Sequence, residues 1–399
     1  MSSSKKKTLG NSSRLLLILI LSTLPFSFGC WDRTEINDIA IVVSTAFDLD
    51  PDGKYRVTCQ MALPGQMGGS NGGGGGTSGQ KSYYVDSETG NTIREANARQ
   101  QARLSRQLFF AHRRVLIIGE ELAKQGIREI FDVVARVPEN RLTSNIVIAK
   151  GKGYDLLNAQ PQFERFSAEA MREILQSDNM IEINMKDVAQ ELSQVGTDPL
   201  IPLMMPVQTT KGKQKSTETQ FIGYAQFHDD RYVGPIQDEA AQGIYWIRQR
   251  FKPYTTSFEN KQFGKIAINV YKGKSEVIPH LGSDHITFDV RINANCYITE
   301  AEQGIDFGMS ENIQKVEGVF DQKIKQSVQA AIAEIKNHKS DSGQLGLVIA
   351  RNYPRQWQDK YEKHWYAELQ KAEFKISVNT EVARVGLISE NIAKKEVTE

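Results

Sequence analysis

The chain has 399 residues, with 49 Lys and Arg against 48 Asp and Glu for a net charge of +1, and is 40% hydrophobic. That length is enough for two or three domains with their own cores, and the balanced charge excludes the basic field of a nucleic-acid-binding protein. Three cysteines, none in a CxxC or paired Cys/His spacing, offer no zinc site.

Lys5, Lys6, Lys7 and Arg14 form a basic n-region with no acid before Cys30. Leu15 to Leu24 then supply an apolar run, broken by Pro25 ahead of Gly29 and Cys30. This is the order of a secretory signal peptide; a membrane-spanning helix needs about 20 apolar residues, and the run is shorter. Residues 1–29 are therefore expected to be removed, and because four cations leave with them the mature chain is net acidic. Ser27 and Gly29 are small, as ordinary secretory cleavage requires. A cysteine directly after the cut also suits lipoprotein processing, in which its sulfur takes a diacylglyceryl group.

Cys30-Trp31-Asp32-Arg33-Thr34-Glu35-Ile36-Asn37 resembles the opening of the mature C-subunit lipoproteins of spore germinant receptors, the Ger(x)C family, which begin Gly-Cys-Trp-Asp-Arg-x-Glu-(Leu/Ile)-Asn. The resemblance continues through GKYRVTCQ from Gly53, SRQLFFAHRRVLIIGEELA from Ser105 and ARNYPRQWQDKYEKHW from Ala350. It implies signal cleavage between Gly29 and Cys30, lipidation of Cys30, and a place on the outer face of the spore inner membrane beside membrane-spanning receptor subunits. It also implies three mixed α/β domains. The chain departs from the family at Ser27, where the usual lipobox has Leu. It departs again at Ser342-Gly343-Gln344-Leu345-Gly346, where the family has a glycine-phenylalanine-rich loop.

Ile39 to Leu49 predicts a strand, followed by the turn Asp50-Pro51-Asp52-Gly53. The next strand alternates, with Tyr55, Val57, Cys59, Met61 and Leu63 on one face and Arg56, Thr58 and Gln60 on the other; Cys59 then acts as a small buried hydrophobe. The glycine run over 68–79 lacks both GxGxxG and a following Lys-Ser/Thr, so it is a flexible exposed insert and not a phosphate loop. Thr92-Ile93-Arg94-Glu95 has the form of a capping box and starts a helix toward Arg106. Its Arg94, Arg99, Arg103 and Arg106 fit a solvated face better than an anionic-lipid patch. Val115 to Ile118 is apolar on both sides, as in a strand buried on both faces. His112 near its start is structural, since no second His or Cys stands at metal-binding spacing. Glu120 to Arg136 predicts a helix ended by Pro138, and Ile146 to Ala149 a strand. Strand–helix–strand order here points to a mixed unit.

Ser167 to Gln176 and Lys186 to Val195 are predicted helices. Pro199, Pro202 and Pro206 then interrupt the pattern, and Lys211-Gly212-Lys213-Gln214-Lys215-Ser216 is a solvated linker, which places a domain boundary at 206–218. Phe221 to Phe227 and Tyr232-Val233 form a hairpin around His228-Asp229-Asp230-Arg231. Asp238 caps a short helix. Lys265 to Tyr271 is a strand. Ile286 to Ile298 alternates throughout, so its sheet is wet on one side and antiparallel; His280 and His285 beside it are surface residues. Glu311 to Asn337 is a long helix whose stripe, from Ile313 to Ile335, is wide enough to pack on a sheet. Leu345 to Arg351 and Trp357 to Gln370 are helical across Pro354, and Phe374 to Val382 closes the chain as a strand.

These elements predict an α+β class with mixed, largely antiparallel sheets and packed helices, in two to three domains. After the signal peptide come a mixed α/β domain over 30–205 with its glycine insert, the linker, a β-rich domain over 219–310, and a helix-plus-strand unit over 311–399. That last unit either stands alone or joins 219–310. No GxSxG elbow, HExxH or Walker loop occurs, and Asp32 with Glu35 suits juxtamembrane polar residues better than an acid/base pair. The expected product is a non-enzymatic anchored subunit with no catalytic, metal or cofactor residues. Its partners, by the resemblance, are the membrane-spanning receptor subunits and the bilayer, with Cys30 as lipidation site. The alternative is a solute-binding lipoprotein serving a transporter, with two lobes of parallel βαβ units about a hinge; the long alternating strands weigh against it. Cys59 and Cys296 are expected to be free buried thiols, since nothing brings their strands within bonding distance.

Overall fold

The computed structural model describes residues 35–63, 82–209, 215–261, 264–301, 307 and 309–384. The signal segment, Gly29, Cys30 and the glycine run at 68–79 lie outside the described residues.

Thirteen strands form two sheets in the described residues. The larger contains β1 (Ile39–Leu49), β2 (Tyr55–Ala62), β3 (Tyr83–Gly90), β5 (Val115–Gly119), β6 (Asn145–Ala149), β7 (Leu200–Gln208), β8 (Thr217–His228) and β9 (Arg231–Ile236), in the order β3-β2-β1-β5-β6-β7-β8-β9. Short β4 (Gln107–Phe109) pairs with the start of β1. The centre, β1-β5-β6-β7, is parallel, while the hairpins at both flanks are antiparallel. Every residue of β5 and β6 is buried, as the unbroken apolar run Val115–Ile118 predicts for a strand covered on both faces. Alternate side chains serve opposite layers. Leu116 and Ile118 pack with Ile93, Leu122 and Ile130 from α1 (Ile93–Gln101), α2 (Glu120–Gln125) and α3 (Arg128–Ala135). Val115 and Ile117 pack with Leu156, Leu157, Met171 and Leu175 from α4 (Gly153–Leu157) and α5 (Ser167–Leu175).

The residues on both sides of the segment expected as a linker are paired strands instead. Gln208 pairs with Thr217, and β7 and β8 run antiparallel from there to Leu200 and Gln226. The first sheet therefore crosses 206–218 and is completed by β9. Pro202 and Pro206 lie inside β7, where parallel pairing to β6 involves just Leu203 and Met204, so their missing N–H groups interrupt little of the ladder.

Other boundaries shift for identifiable reasons. Thr92 Oγ1 accepts from Glu95 N at 3.1 Å, but the Glu95 carboxylate reaches Asn91 N at 2.7 Å, one residue earlier than a capping box has it. The helix stops at Gln101, whose side chain bonds Arg106 O and Leu108 N to start β4. The expected helix 120–136 is broken at Gly126 (φ +144°), where Ile127 N donates to Asp230 O of the β8–β9 turn. Asp238 makes no side-chain cap; it sits in the first turn of α7 (Asp238–Ile247) at φ 49°, and Gln237 is the N-cap residue.

The second sheet runs β10 (Tyr254–Asn260), β11 (Gly264–Leu281), β12 (Ile286–Ala301), β13 (Glu373–Arg384). The alternation of β12 holds, with Ile286, Phe288, Val290, Ile292, Ala294, Cys296 and Ile298 all buried. Its neighbours are mixed, however: β11 is antiparallel and β13 parallel. A parallel return needs a long crossover, supplied by α8 (Ser310–Asn337), α9 (Leu345–Asn352), an irregular helical stretch with a π turn at Trp357–Tyr361, and α10 (Trp365–Lys371). The stripe Val316, Phe320, Ile324, Val328, Ala331 and Ile335 of α8 is buried in the core shared with β12.

Candidate functional site at the junction of the two sheets

A cluster of buried polar and charged side chains lies between the two sheets. α6 (Met185–Ser193) begins at the capping box of Asn184 and Asp187 and carries Glu191 in its last turn. Arg248 is the C-cap of α7, and both side chains are withdrawn from solvent, at 8% and 0% exposure. Arg248 Nη2 donates to Glu191 Oε1 at 2.9 Å and its Nε to Ser342 O at 2.6 Å. Gln344 Nε2 adds 2.8 Å to the same carboxylate oxygen, and Leu200 N donates to Oε2 at 3.3 Å. A charge-assisted bond of this kind is short and directional. It joins the helix before β7 to the end of α7, and the bonds to Ser342 and Gln344 tie both to the loop after α8.

A second knot uses two aspartates. Asp198, between α6 and β7, accepts from Asp229 N at 2.8 Å, Asp341 N at 2.6 Å and Tyr366 Oη at 2.8 Å. Asp341 O in turn accepts from Asp198 N at 3.1 Å, so the two residues exchange bonds. The Asp341 carboxylate is wholly buried and accepts from Leu345 N and Gly346 N, both at 2.8 Å, and Trp365 Nε1 at 2.9 Å. Burial pushes its pKa up to about 8 although these donors pull it down. Burial also raises Asp198. Ser342 Oγ donates to Gln226 Oε1, His228 Nδ1 lies 2.6 Å from Lys339 O, and the His228 ring lies tilted against Tyr366 with centroids 4.2 Å apart. Trp357 and Trp365 meet edge-on at 5.3 Å and close the apolar side.

This arrangement suits a latch. The donors surround the carboxylates instead of leaving an attacking oxygen free, and the groups hold two halves in register. Among the described residues no group of three His, Cys, Asp or Glu side chains could hold a metal ion.

The residues singled out in the sequence fall elsewhere. Cys59 and Cys296 are free and buried in different sheets, each thiol pushed up to about 12 by burial. Arg99 pairs with Glu95, Arg103 with Asp86 and Glu88, and Arg94 donates to Val133 O, which makes this row a paired solvent face. His112 lies 5.9 Å from the Phe109 ring, while His280 and His285 stand beside Asp289 and Glu373 at the surface. Asp198, Glu191, Arg248 and Asp341 carried no motif. The one signal was indirect: the stretch from Ser342 to Gly346, where the chain departs from the family pattern, and the segment ending at Trp365, where it resembles it, converge on this junction.

Two family models match the chain one after the other: "Spore germination protein N-terminal domain" over residues 32–206 and "Spore germination B3/ GerAC like, C-terminal" over residues 222–386. The chain belongs to the spore germination GerAC family. It is 35% identical over 337 residues to the putative spore germination protein YfkR of Bacillus subtilis (strain 168), covering 84% of this chain and 86% of that protein. It is 25% identical over 398 residues to spore germination protein KC of the same organism, covering 94% and 96%. The GerBC crystal structure shares the fold, with a TM-score of 0.57 at 16% identity over 85% of this chain and 97% of that one. Within this GerAC-family chain the two matched regions meet near 206–222, at the β7–β8 hairpin that the first sheet spans.

Proposed function

We propose that the protein is a lipid-anchored, non-enzymatic subunit of a spore germinant receptor, held by Cys30 on the outer face of the spore inner membrane. There it assembles with membrane-spanning subunits to enable nutrient-triggered germination. The observation that carries the reading is the family match over both halves, joined to a leader that ends at Cys30 just ahead of the matched region. The buried latch supports a scaffold role, because a body locked at its centre transmits position and does not open about a hinge. The same latch weighs against the solute-binding alternative. Among the described residues no helix is long and apolar enough to cross a membrane, so attachment rests on the lipid.

The tether also orients the body. Glu35 is the first described residue, five positions after Cys30, and five residues span at most about 18 Å. β1, β5 and β6 run parallel, so their starts share one end of the sheet. That end gathers the chain start, the turn before β5 and the loop before β6, with Lys186 N bonded to Leu142 O, and it exposes Ile36 and Leu142. It faces the bilayer in this reading.

Two acyl chains on one residue anchor stably where a single chain binds only reversibly. Cys30→Ala should therefore release folded protein from the membrane fraction with unchanged thermal stability. Germination should fall as the high effective concentration beside the partners is lost. Protein that stays membrane-bound after a high-salt wash, with germination unaltered, would sink the anchor and leave ordinary secretory cleavage at Gly29.

A further inference from the structure

Four strands end the two sheets, β3 and β9 in the first and β10 and β13 in the second. An outer strand presents a row of N–H and C=O groups that will pair with another strand, so native proteins cover, bend or charge such edges. Three of these edges are covered. Gln100, Arg103 and Arg99 donate to the carbonyls of Asp86, Ser87 and Thr89 in β3. The helix α2 packs against β9. Asp321 and Glu317 of α8 accept from Thr380 N and Val382 N of β13, at 2.9 and 2.8 Å. β10 differs. Its seven residues pair with β11 without a bulge, and among the described residues no strand pairs with its other side. It has no proline or lysine, and Glu259 is its one charge.

The helix α8 runs beside this bare edge. Phe258 stacks on Phe320 with centroids 6.0 Å apart, and a groove opens between Phe258 and Gly318, Val319, Gln322 and Gln326 of α8. The stripe is uncharged. The two lysines at its rim are neutralised, Lys315 by Glu311 at 2.6 Å and Lys323 by Glu239 at 2.8 Å. Gly318 is exposed inside a helix of 28 residues, and a Cβ there would meet nothing within 4 Å. Glycine weakens a helix interior, and no packing within the described chain requires it here. What it provides is room for another backbone to come close.

We infer that β10 and the groove beside it form a homodimer contact, in which β10 pairs antiparallel with β10 of a second copy about a two-fold axis at Ser257. Both surfaces of such a contact belong to this chain, so their fit can be judged from its own residues. A register centred on Ser257 overlaps the whole strand. It sets Glu259 opposite Thr255 of the second copy and keeps the two glutamates apart, where like charges directly opposed would destabilise the pair. On the groove face Phe258 meets Thr256, an aromatic against a β-branched residue, which is a favourable cross-strand pair. Two four-stranded sheets become one continuous sheet. The two α8 helices then lie side by side over the join, where Gly318 allows close approach and Gln322 and Gln326 offer amides that both donate and accept. This surface carries no net charge that would select an oppositely charged protein.

The test uses the full chain carrying Cys30→Ala in density-matched detergent, where sedimentation should show a reversible dimer that grows with concentration. Cys59 and Cys296 are buried, so Ser257→Cys adds a single accessible thiol on the axis. Cα atoms directly opposite in an antiparallel pair are about 4.5–5.5 Å apart, within disulfide range, and mild oxidation should link the copies at 257. Thr255→Cys should not link to itself, because the two positions are offset by about 14 Å along the strand. Mixed with Glu259→Cys, it should link. Gly318→Arg restores helix propensity and fills the groove; it should weaken dimerisation about tenfold with no fall in melting temperature. A monomer at every concentration overturns the inference, as does a dimer that links at 255 with itself or fails to link at 257. Equal dimerisation of Gly318→Arg and wild type overturns it too. In spore membranes, a thiol at 257 that links to a different protein assigns the edge to that partner and overturns the homodimer.

Discussion

A Cβ on Gly346 would lie 2.5 Å from Gly196 Cα and 2.7 Å from Gly196 O. The two glycines bring the loop before β7 and the first turn of α9 into backbone contact, with Leu347 N bonded to Gly196 O at 3.0 Å and Trp357 covering both. Gly196 also has φ +87°, a conformation glycine adopts without strain. Gly346→Ala should therefore force backbone apart at the centre of the latch and cost about 3 kcal/mol, read as a lowered urea midpoint. An unchanged midpoint would mean that this contact contributes nothing to the latch.

The Glu191–Arg248 pair makes a different prediction. Truncating either side alone leaves the other as an uncompensated buried charge, a loss of about 3–5 kcal/mol. Replacing both, as Glu191→Leu with Arg248→Met, should recover most of that loss because neither charge then needs a partner. A double-mutant cycle reads the coupling. Simple addition of the two single losses would show that the pair is uncoupled.

Asp341 ties the latch to pH. Its ordinary value is 3.8, and in the folded protein it holds its proton up to about 8, so between these values the folded state binds more protons than the unfolded one. Its contribution to stability is complete below pH 3.8, declines by up to about 1.4 kcal/mol per pH unit across the window, and levels off above about 8. Asp341→Asn removes the titration. The stability of wild type relative to this variant should fall steadily from pH 4 to pH 8 in urea titrations. A constant or growing advantage would mean that the Leu345, Gly346 and Trp365 donors outweigh burial.

The proposed orientation is open to direct measurement. Cys59 and Cys296 are buried, so a fluorophore on Leu142→Cys or on Asp52→Cys labels one chosen end of the first sheet. In vesicles carrying the lipidated chain, a headgroup quencher should dim the label at 142 severalfold more than the one at 52. Equal quenching would remove the inferred orientation without touching the anchor.

Much of the fold was legible because its signal is local. Alternation along β12 marks a strand with one covered face, the unbroken run Val115–Ile118 marks a doubly covered one, and the stripe of α8 marks a helix lying on a core. The stretch that begins at Cys30 carried the family in its order of residues alone. Where reading failed, a tertiary partner had overridden a local cue. Three prolines and a lysine-rich tip look like a linker, yet β7 and β8 pair across it. Glu120 to Arg136 has one helical pattern, yet docking against Asp230 breaks it at Gly126.

The sequence by itself determined the class of the elements, the burial of their faces and the family, because each depends on residues within a turn or two of one another. The tertiary structure alone decided the latch. Asp198 and Asp341 are 143 residues apart, Glu191 and Arg248 are 57 apart, and nothing in the spacing of an isolated Asp, Glu or Arg tells whether its partner is water or another chain segment. Only the packing of the helices and loops between the two sheets removes the water. Once it is gone, each buried polar group must find a partner across the junction.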